Sequence, residues 1–241
     1  MEYINAIKAD FRALNEAIRK AGNNCEITGC LGQRFLCAGM SGGNVTISGG
    51  IPGNALGAYL NGAKITVHGN AQDAVGDTMN NGEIVVHGNV GDAAGYAMRG
   101  GKIIVKGNAG YRAGIHMKAY REKVPVIVIG GKAGSFLGEY QAGGVIIVLG
   151  LSQNDCRIVG NFPCTGMHGG KMILRSDCRG ITFPDQVTAS AATPDDLKEI
   201  ETYVSEYCEL FDVDKKAVMN SPFTVVTPDS KNPYKRLYVA N

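Results

Sequence analysis

Residues 101–107 read GKIIVKG, and nineteen positions earlier residues 82–88 read GEIVVHG. Each is a short apolar run closed by a glycine, with faces alternating as in a β-strand. The same unit recurs at residues 43–49 (GNVTISG), 63–69 (AKITVHG), 124–130 (VPVIVIG), 144–150 (GVIIVLG) and 170–176 (GKMILRS). The closing positions step by 20, 19, 19, 23, 20 and 26 residues. A second glycine keeps pace at Gly57, Gly76, Gly95, Gly114 and Gly138, after turns such as AQDAVG, VGDAAG and AGYRAG. A partial copy over residues 26–39, EITGCLGQRFLCAG, opens the series. A unit this short cannot bury a core alone, so neighbours must stack. The reading is a mainly β protein: a right-handed, single-stranded parallel β-helix of about seven coils, roughly 30 Å long at about 4.8 Å per coil.

Equivalent positions then form ladders along the axis. Ile65 and Val67, Ile84 and Val86, and Ile103 and Val105 are read as inward. The outward pairs run Thr46/Ser48, Thr66/His68, Val85/His87, Ile104/Lys106, Ile127/Ile129 and Ile147/Leu149, a drift from polar to apolar. An apolar outer strip needs a cover. Leu60, Met79, Met98 and Met117 form a row at spacing 19, which reads as core filling.

The flanks differ from the repeat. Ile4, Ile7, Phe11, Leu14 and Ile18 fall on one stripe, which predicts an amphipathic helix over 5–21 that caps the open end. Residues 1–24 are therefore read as the capping helix, 25–180 as the β-helix and 181–241 as a helical and extended arm. In the arm, Thr193-Pro194 starts a helix whose Leu197, Ile200, Val204, Tyr207 and Cys208 face one way, a candidate cover for the apolar strip. The segment from Ser221 reads as an extended, proline-punctuated tail.

Bulk properties narrow the function classes. The chain has 241 residues and a formal net charge of +2, which gives no reason to expect nucleic acid or an anionic membrane as a partner. No apolar run reaches the length of a membrane span, and the N-terminus lacks the apolar core of a signal peptide. Seven cysteines without a CxxC pair suit free thiols in a reducing cytoplasm. Cys25, Cys30 and Cys37, and the looser set Cys156, Cys164 and Cys178, lack iron–sulfur or zinc spacing and read as buried thiols. Cys37 and Cys164 stand before matching GMSGG and GMHGG stretches. The 34 glycines punctuate strands, and no nucleotide-binding loop or nucleophile elbow occurs. His68 and His87 stack as a solvated ladder, and Asp73 and Asp92 stack in turns. No aromatic strip or carboxylate cluster stands out on one face. The richest segment is the lengthened coil, with Arg112, His116, Lys118, Tyr120 and Arg121 as candidate partner-facing residues. Insertions in solenoids map to one face and often to binding.

Residues 110–151, GYRAGIHMKAYREKVPVIVIGGKAGSFLGEYQAGGVIIVLGL, resemble the C-terminal glycine-repeat (GXGXG) domain of glutamate synthase large subunits. The likeness covers about 25–176, including the insertion after Met117. It implies a right-handed β-helix without catalytic residues, here as a stand-alone subunit. It also implies partners: a glutaminase-type amidotransferase and an FMN-dependent synthase holding FMN and an iron–sulfur cluster. No catalytic, cofactor or metal ligand is expected in this chain, and self-association is left open. Two other readings stay open. One is the β-helix subunit of formylmethanofuran dehydrogenase or another oxidoreductase complex. The other is a free-standing β-helix that binds a ligand.

Overall fold

The computed structural model describes residues 1–151 and 157–230. In chain order the strands begin with β1 (Glu2–Asn5), followed by helix α1 (Phe11–Lys20). Then come β2 (Asn24–Thr28), β3 (Cys30–Leu31), β4 (Asn44–Ile47), β5 (Gly50–Ile51), β6 (Asn61–Val67) and β7 (Asn81–Val86). β8 (Lys102–Val105), β9 (Val126–Ile129), β10 (Ala142–Val148) and β11 (Gly169–Leu174) continue the series. The chain ends in β12 (Val187–Ala191), α2 (Pro194–Phe211), α3 (Lys215–Met219) and β13 (Thr224–Pro228). The main sheet has 11 strands in the order β1-β2-β4-β6-β7-β8-β9-β10-β11-β13-β12. All pairs from β1 to β11 are parallel, and β13 and β12 then add antiparallel strands. The protein is thus a parallel β-solenoid of about seven turns, extended at one end by two antiparallel strands.

Each coil bends through three left-handed residues. In successive coils the first is Phe35, Ala55, Ala74, Ala93, Arg112, Phe136 and Phe162, and the last is Gly39, Tyr59, Thr78, Ala97, His116, Tyr140 and Gly166. The middle one is glycine in every interior coil and cysteine, at φ +61°, in the two terminal ones, Cys37 and Cys164. The sequence says why. A Cβ on Gly95 would stand 2.4 Å from Ile127 Cδ1, and one on Gly114 2.5 Å from Ile146 Cδ1. The turn therefore needs glycine twice, for its φ and for the isoleucine tip that fills its place. Ile65, Ile84, Ile103, Ile127, Ile146 and the methionine row line one continuous core.

Two expectations need correction. Residues 1–5 do not start the N-terminal helix. β1 pairs in parallel with β2, and the helix begins only at Phe11, capped by the Asp10 carboxylate. Ile4 therefore belongs to a strand and Ile7 is exposed, because sheet pairing overrides the helical stripe at its first turn. Leu14 and Ile18 do plug the core. Asn15 completes this cap: its Oδ1 accepts from the Cys37 N–H at 2.9 Å, the place taken in the next coil by the Leu36 carbonyl accepting from Gly57.

The second correction concerns faces. β9 pairs Val105 with Ile129, so Ile127 and Ile129 point inward, and Val126 and Val128 face out. The insertion hides this phase. Gly131, not Gly130, matches Gly107, so that step is 24 residues and the next, to Gly150, is 19. The outer apolar strip is Val85, Ile104, Val126, Val128, Val145, Ile147, Leu149 and Ile173, and α2 covers it with Ile200, Val204, Tyr207, Cys208 and Phe211. Each such buried side chain stabilises by about 1.5–3 kcal/mol. Thr193 and Asp196 form the expected cap of α2 as a capping box. Tyr207 donates to the Lys106 carbonyl at 3.0 Å, across Gly130, where a Cβ would lie 1.8 Å from the hydroxyl. At the edge of this seam Glu83 pairs with Lys64 (2.6 Å) and Lys102 (2.9 Å), and Lys102 also pairs with Glu206 of α2. The tail from Ser221 contains β13, and residues 231–241 lie outside the described residues.

Gly95→Ala should lower stability by about 2–4 kcal/mol, through left-handed strain and overpacking. Ala93→Gly, two residues away at φ +57°, should be near neutral. Urea unfolding of both variants checks this, and equal losses would remove the role given to the isoleucine tips. Acid should loosen the α2 seam. Burial raises the pKa of Glu83, but the Lys64 and Lys102 ammoniums outweigh it and hold it below its ordinary value. Its contribution is therefore complete above about pH 4.5 and fades as pH falls through the lowered pKa. Wild type should lose more stability than Glu83→Gln on that descent, measured by urea midpoints at each pH.

Candidate interaction surface

The five residues singled out from the sequence fall into two groups. Arg112 and His116 are the first and last left-handed residues of one turn, at φ +59° and +55°. Such residues project from the turn, so the next coil's equivalents lie beside them. Arg112 Nε donates to Glu139 Oε2 at 3.0 Å, and its guanidinium lies 4.9 Å from the Phe136 ring centre. His116 stacks on Tyr140, 5.2 Å between centres and 9° between planes, with Tyr96 edge-on at 6.0 Å. Phe162 follows Phe136 at 5.3 Å. The result is a ridge of cations and rings along one corner of the solenoid. Tyr96, Tyr111 and Phe162 are exposed by 40%, 55% and 62%.

Tyr120 and Arg121 belong to the insertion instead. Tyr120 and Lys123 exchange backbone hydrogen bonds of 3.0 and 3.1 Å, which closes a tight hairpin tipped by Arg121 at φ +56°. The Arg121 guanidinium lies 5.3 Å from the Tyr120 ring centre. Lys118 is exposed on the chain between the two groups. Past the hairpin, Lys123 and Val124 join Lys102 and Tyr203 of α2 around a cleft of about 300 Å³. Sequence reading missed Phe136, Tyr140, Phe162 and Tyr96, and found no aromatic strip. The strip exists, and its signal was available: Phe136 and Phe162 lie two residues before Gly138 and Cys164, and Tyr140 two after Gly138, as Arg112 and His116 do about Gly114, while Tyr96 directly follows Gly95.

Chemically suggestive side chains elsewhere are used to hold the coils together. His68 and His87 do stack, 4.6 Å between centres. His68 is exposed, but Phe211 lies edge-on to His87 at 5.1 Å, so the ladder runs under the end of α2 rather than through solvent. Burial first, then the charges of His68 and Lys106, hold the His87 pKa below its ordinary value. Asp73 Oδ1 accepts from the Asp92 N–H at 2.9 Å, and Asp92 Oδ1 from the Tyr111 N–H at 2.8 Å. The Asn70, Asn89 and Asn108 side chains repeat that bond on a parallel column. Burial pushes Cys25 and Cys30 up to about 11 and Cys164 to about 12, and raises Cys37 too. Cys156 lies outside the described residues. Among the described residues no three His, Cys, Asp or Glu side chains gather as a metal site, and no helix is long and apolar enough to cross a membrane.

In a Cys156→Ser background, half-buried Cys178 should react first with a thiol reagent at neutral pH. Cys25, Cys30, Cys37 and Cys164 should label only at the rate of unfolding. Mass-spectrometric mapping of the labelled peptides checks the order, and early modification of Cys37 would contradict it.

Comparison with known proteins agrees with this architecture. The formyltransferase/hydrolase complex of Methylorubrum extorquens, solved with methylofuran, contains a chain of similar fold. The TM-score is 0.61 at 18% identity, over 92% of this chain and 89% of that one. An uncharacterized protein of Methanocaldococcus jannaschii is 45% identical over 248 residues, 98% of this chain and 95% of the relative. The GXGXG motif family matches residues 11–229, and the chain belongs to that family.

Proposed function

We propose that this chain is a non-catalytic structural and interaction subunit of a glutamate synthase-like complex in the cytoplasm. A glutaminase-type amidotransferase releases ammonia from glutamine, and an FMN-dependent synthase with an iron–sulfur cluster joins it reductively to 2-oxoglutarate. Both activities and both cofactors belong to the partners. The observation that carries the reading is the ridge of Arg112, His116, Phe136 and Tyr140 beside the Tyr120–Lys123 hairpin. It is an aromatic and cationic surface, exposed at Arg112 and His116 and half-buried at Phe136 and Tyr140, and aromatic residues and Arg are enriched at protein interfaces. The buried thiols, the turn aspartates and the asparagine column are occupied within the solenoid, which fits a scaffold. Lys118 and Arg121 extend the same surface.

The fold it shares with a chain of the formyltransferase/hydrolase complex favours a second reading, a β-solenoid subunit of a complex of that kind. Tagged full-length chain, purified from its native host, separates the two. Co-purification of an amidotransferase and a flavin-containing synthase, with glutamine-dependent glutamate formation, is the expected result. Recovery with a formyltransferase would favour the second reading and sink the first. The isolated chain should be colourless and inactive, and a flavin or iron–sulfur absorption band in it would overturn the scaffold role. The double variant Arg112→Ala/His116→Ala should keep its melting temperature yet lose most of the co-purifying partner.

A further inference from the structure

The solenoid ends in an open strand. β12 lies at the edge of the main sheet and pairs only with β13 among the described residues. The hydrogen-bond phase of that pair is fixed at both ends: Asp229 N–H donates to the Gln186 carbonyl, and Ala192 N–H to the Phe223 carbonyl, each at 2.9 Å. In an antiparallel pair the bonded residues alternate. Gln186, Thr188, Ser190 and Ala192 therefore face β13. The N–H and C=O groups of Ala189 and Ala191, and the C=O of Val187, face away from it, at the free edge.

Most sheet edges are blunted by charge, proline or a bulge. The opposite edge, β1, carries Glu2. β12 reads Val187-Thr-Ala-Ser-Ala191, without charge or proline, and Thr188 to Ala191 are all exposed. The sequence is also nearly symmetric about its centre. Reversed upon itself around Ala189, it sets Thr188 against Ser190 and Val187 against Ala191. Hydroxyl meets hydroxyl and apolar meets apolar, on matching faces of the sheet.

We propose that β12 is a homodimerisation edge, at which a second copy of this chain adds its own β12 antiparallel across a twofold axis through Ala189. Each Ala189 N–H donates to the other copy's Ala189 carbonyl, and each Ala191 N–H to the other copy's Val187 carbonyl. These are the groups the observed pairing leaves unused. An isologous contact of this kind is self-closing, so it gives dimers and not fibres. The two sheets become one, with α2 of each copy on the same face. This inference does not depend on which complex the chain serves.

Sedimentation equilibrium of the full chain over a range of concentrations tests it, read against two variants. Wild type should be a concentration-dependent dimer. Ala189→Pro deletes the outward N–H without touching the bonds to β13, and should be monomeric with a melting temperature close to wild type. Ala189→Lys sets two ammonium groups opposite each other on the axis and should also be monomeric, which keeps the test decisive if the proline variant fails to fold. In wild type, amide exchange at Ala189 and Ala191 should slow as concentration rises. A wild-type monomer at every concentration would overturn the proposal. So would a dimer that tolerates Ala189→Lys, since its contact would lie elsewhere.

Discussion

The packing of isoleucine tips into glycine turns sets almost everything else in this molecule. Ile84, Ile103, Ile127 and Ile146 each reach into the space where the turn glycine of a preceding coil would carry a Cβ. That contact fixes the thickness of the coil and the phase between strand and turn. It also explains why the repeat tolerates change elsewhere. The first and last left-handed positions hold Ala, Thr, Tyr, Phe, His and Arg, while the middle one admits only glycine inside the stack. Cysteine enters at the two ends. At Cys164 the parallel stack ends, so no further parallel coil supplies an isoleucine tip; its Sγ lies 3.6 Å from the sulfur of Met172, whose methyl is the tip at Gly138.

A repeat of this kind is legible in sequence because each coil states the same physics again. The strands, the core rows, the end cap and the covering helix α2 all follow from glycine spacing and apolar phase. What fails is what depends on counting through an irregular coil. The insertion shifts the phase by one residue, and a shift of one residue exchanges the two faces of a strand. Ile127 and Ile129 were thus placed outside and Val126 and Val128 overlooked. The first strand failed for a related reason. Ile4 suits both a helical stripe and a strand, and only the sheet edge offered by β2 decides between them.

The ridge of rings and cations was legible only in part, and for a structural reason. Arg112 and His116 drew attention because they belong to an unusual segment. Phe136, Tyr140 and Phe162 belong to ordinary coils, 24 to 26 residues away along the chain from their neighbours on the ridge. They meet because a solenoid converts an irregular sequence step into a constant rise. Surface composition in such a protein has to be read down columns, and the columns are known only once the register is fixed. The lysine, glutamate and lysine of the Lys64, Glu83 and Lys102 column show the same effect, since alternating charge is invisible along the chain and obvious across it.

The two ends of the stack are solved differently, and that asymmetry bears on what the molecule can do. At the first coil α1 fills the core, and the Asn15 side chain supplies an acceptor in place of a missing coil's carbonyl. At the last coil β13 reverses the strand direction and β12 follows it outward. An antiparallel edge offers its free groups in closely spaced pairs, suited to another antiparallel strand, and a short strand without charge does nothing to refuse one. The side of the solenoid is different again: α2 seals the apolar outer strands, and the corner formed by the left-handed turns carries rings and cations. A scaffold with one sealed face, one plugged end and, among the described residues, one end with an unpaired strand edge has few ways to assemble. Arg112, His116, Phe136 and Tyr140 hold left-handed positions that other coils fill with Ala, Thr or Gly. Small residues thus serve the same turns elsewhere, and the larger ones here meet one another across coils as rings and a guanidinium, which fits the partner-facing role proposed for them.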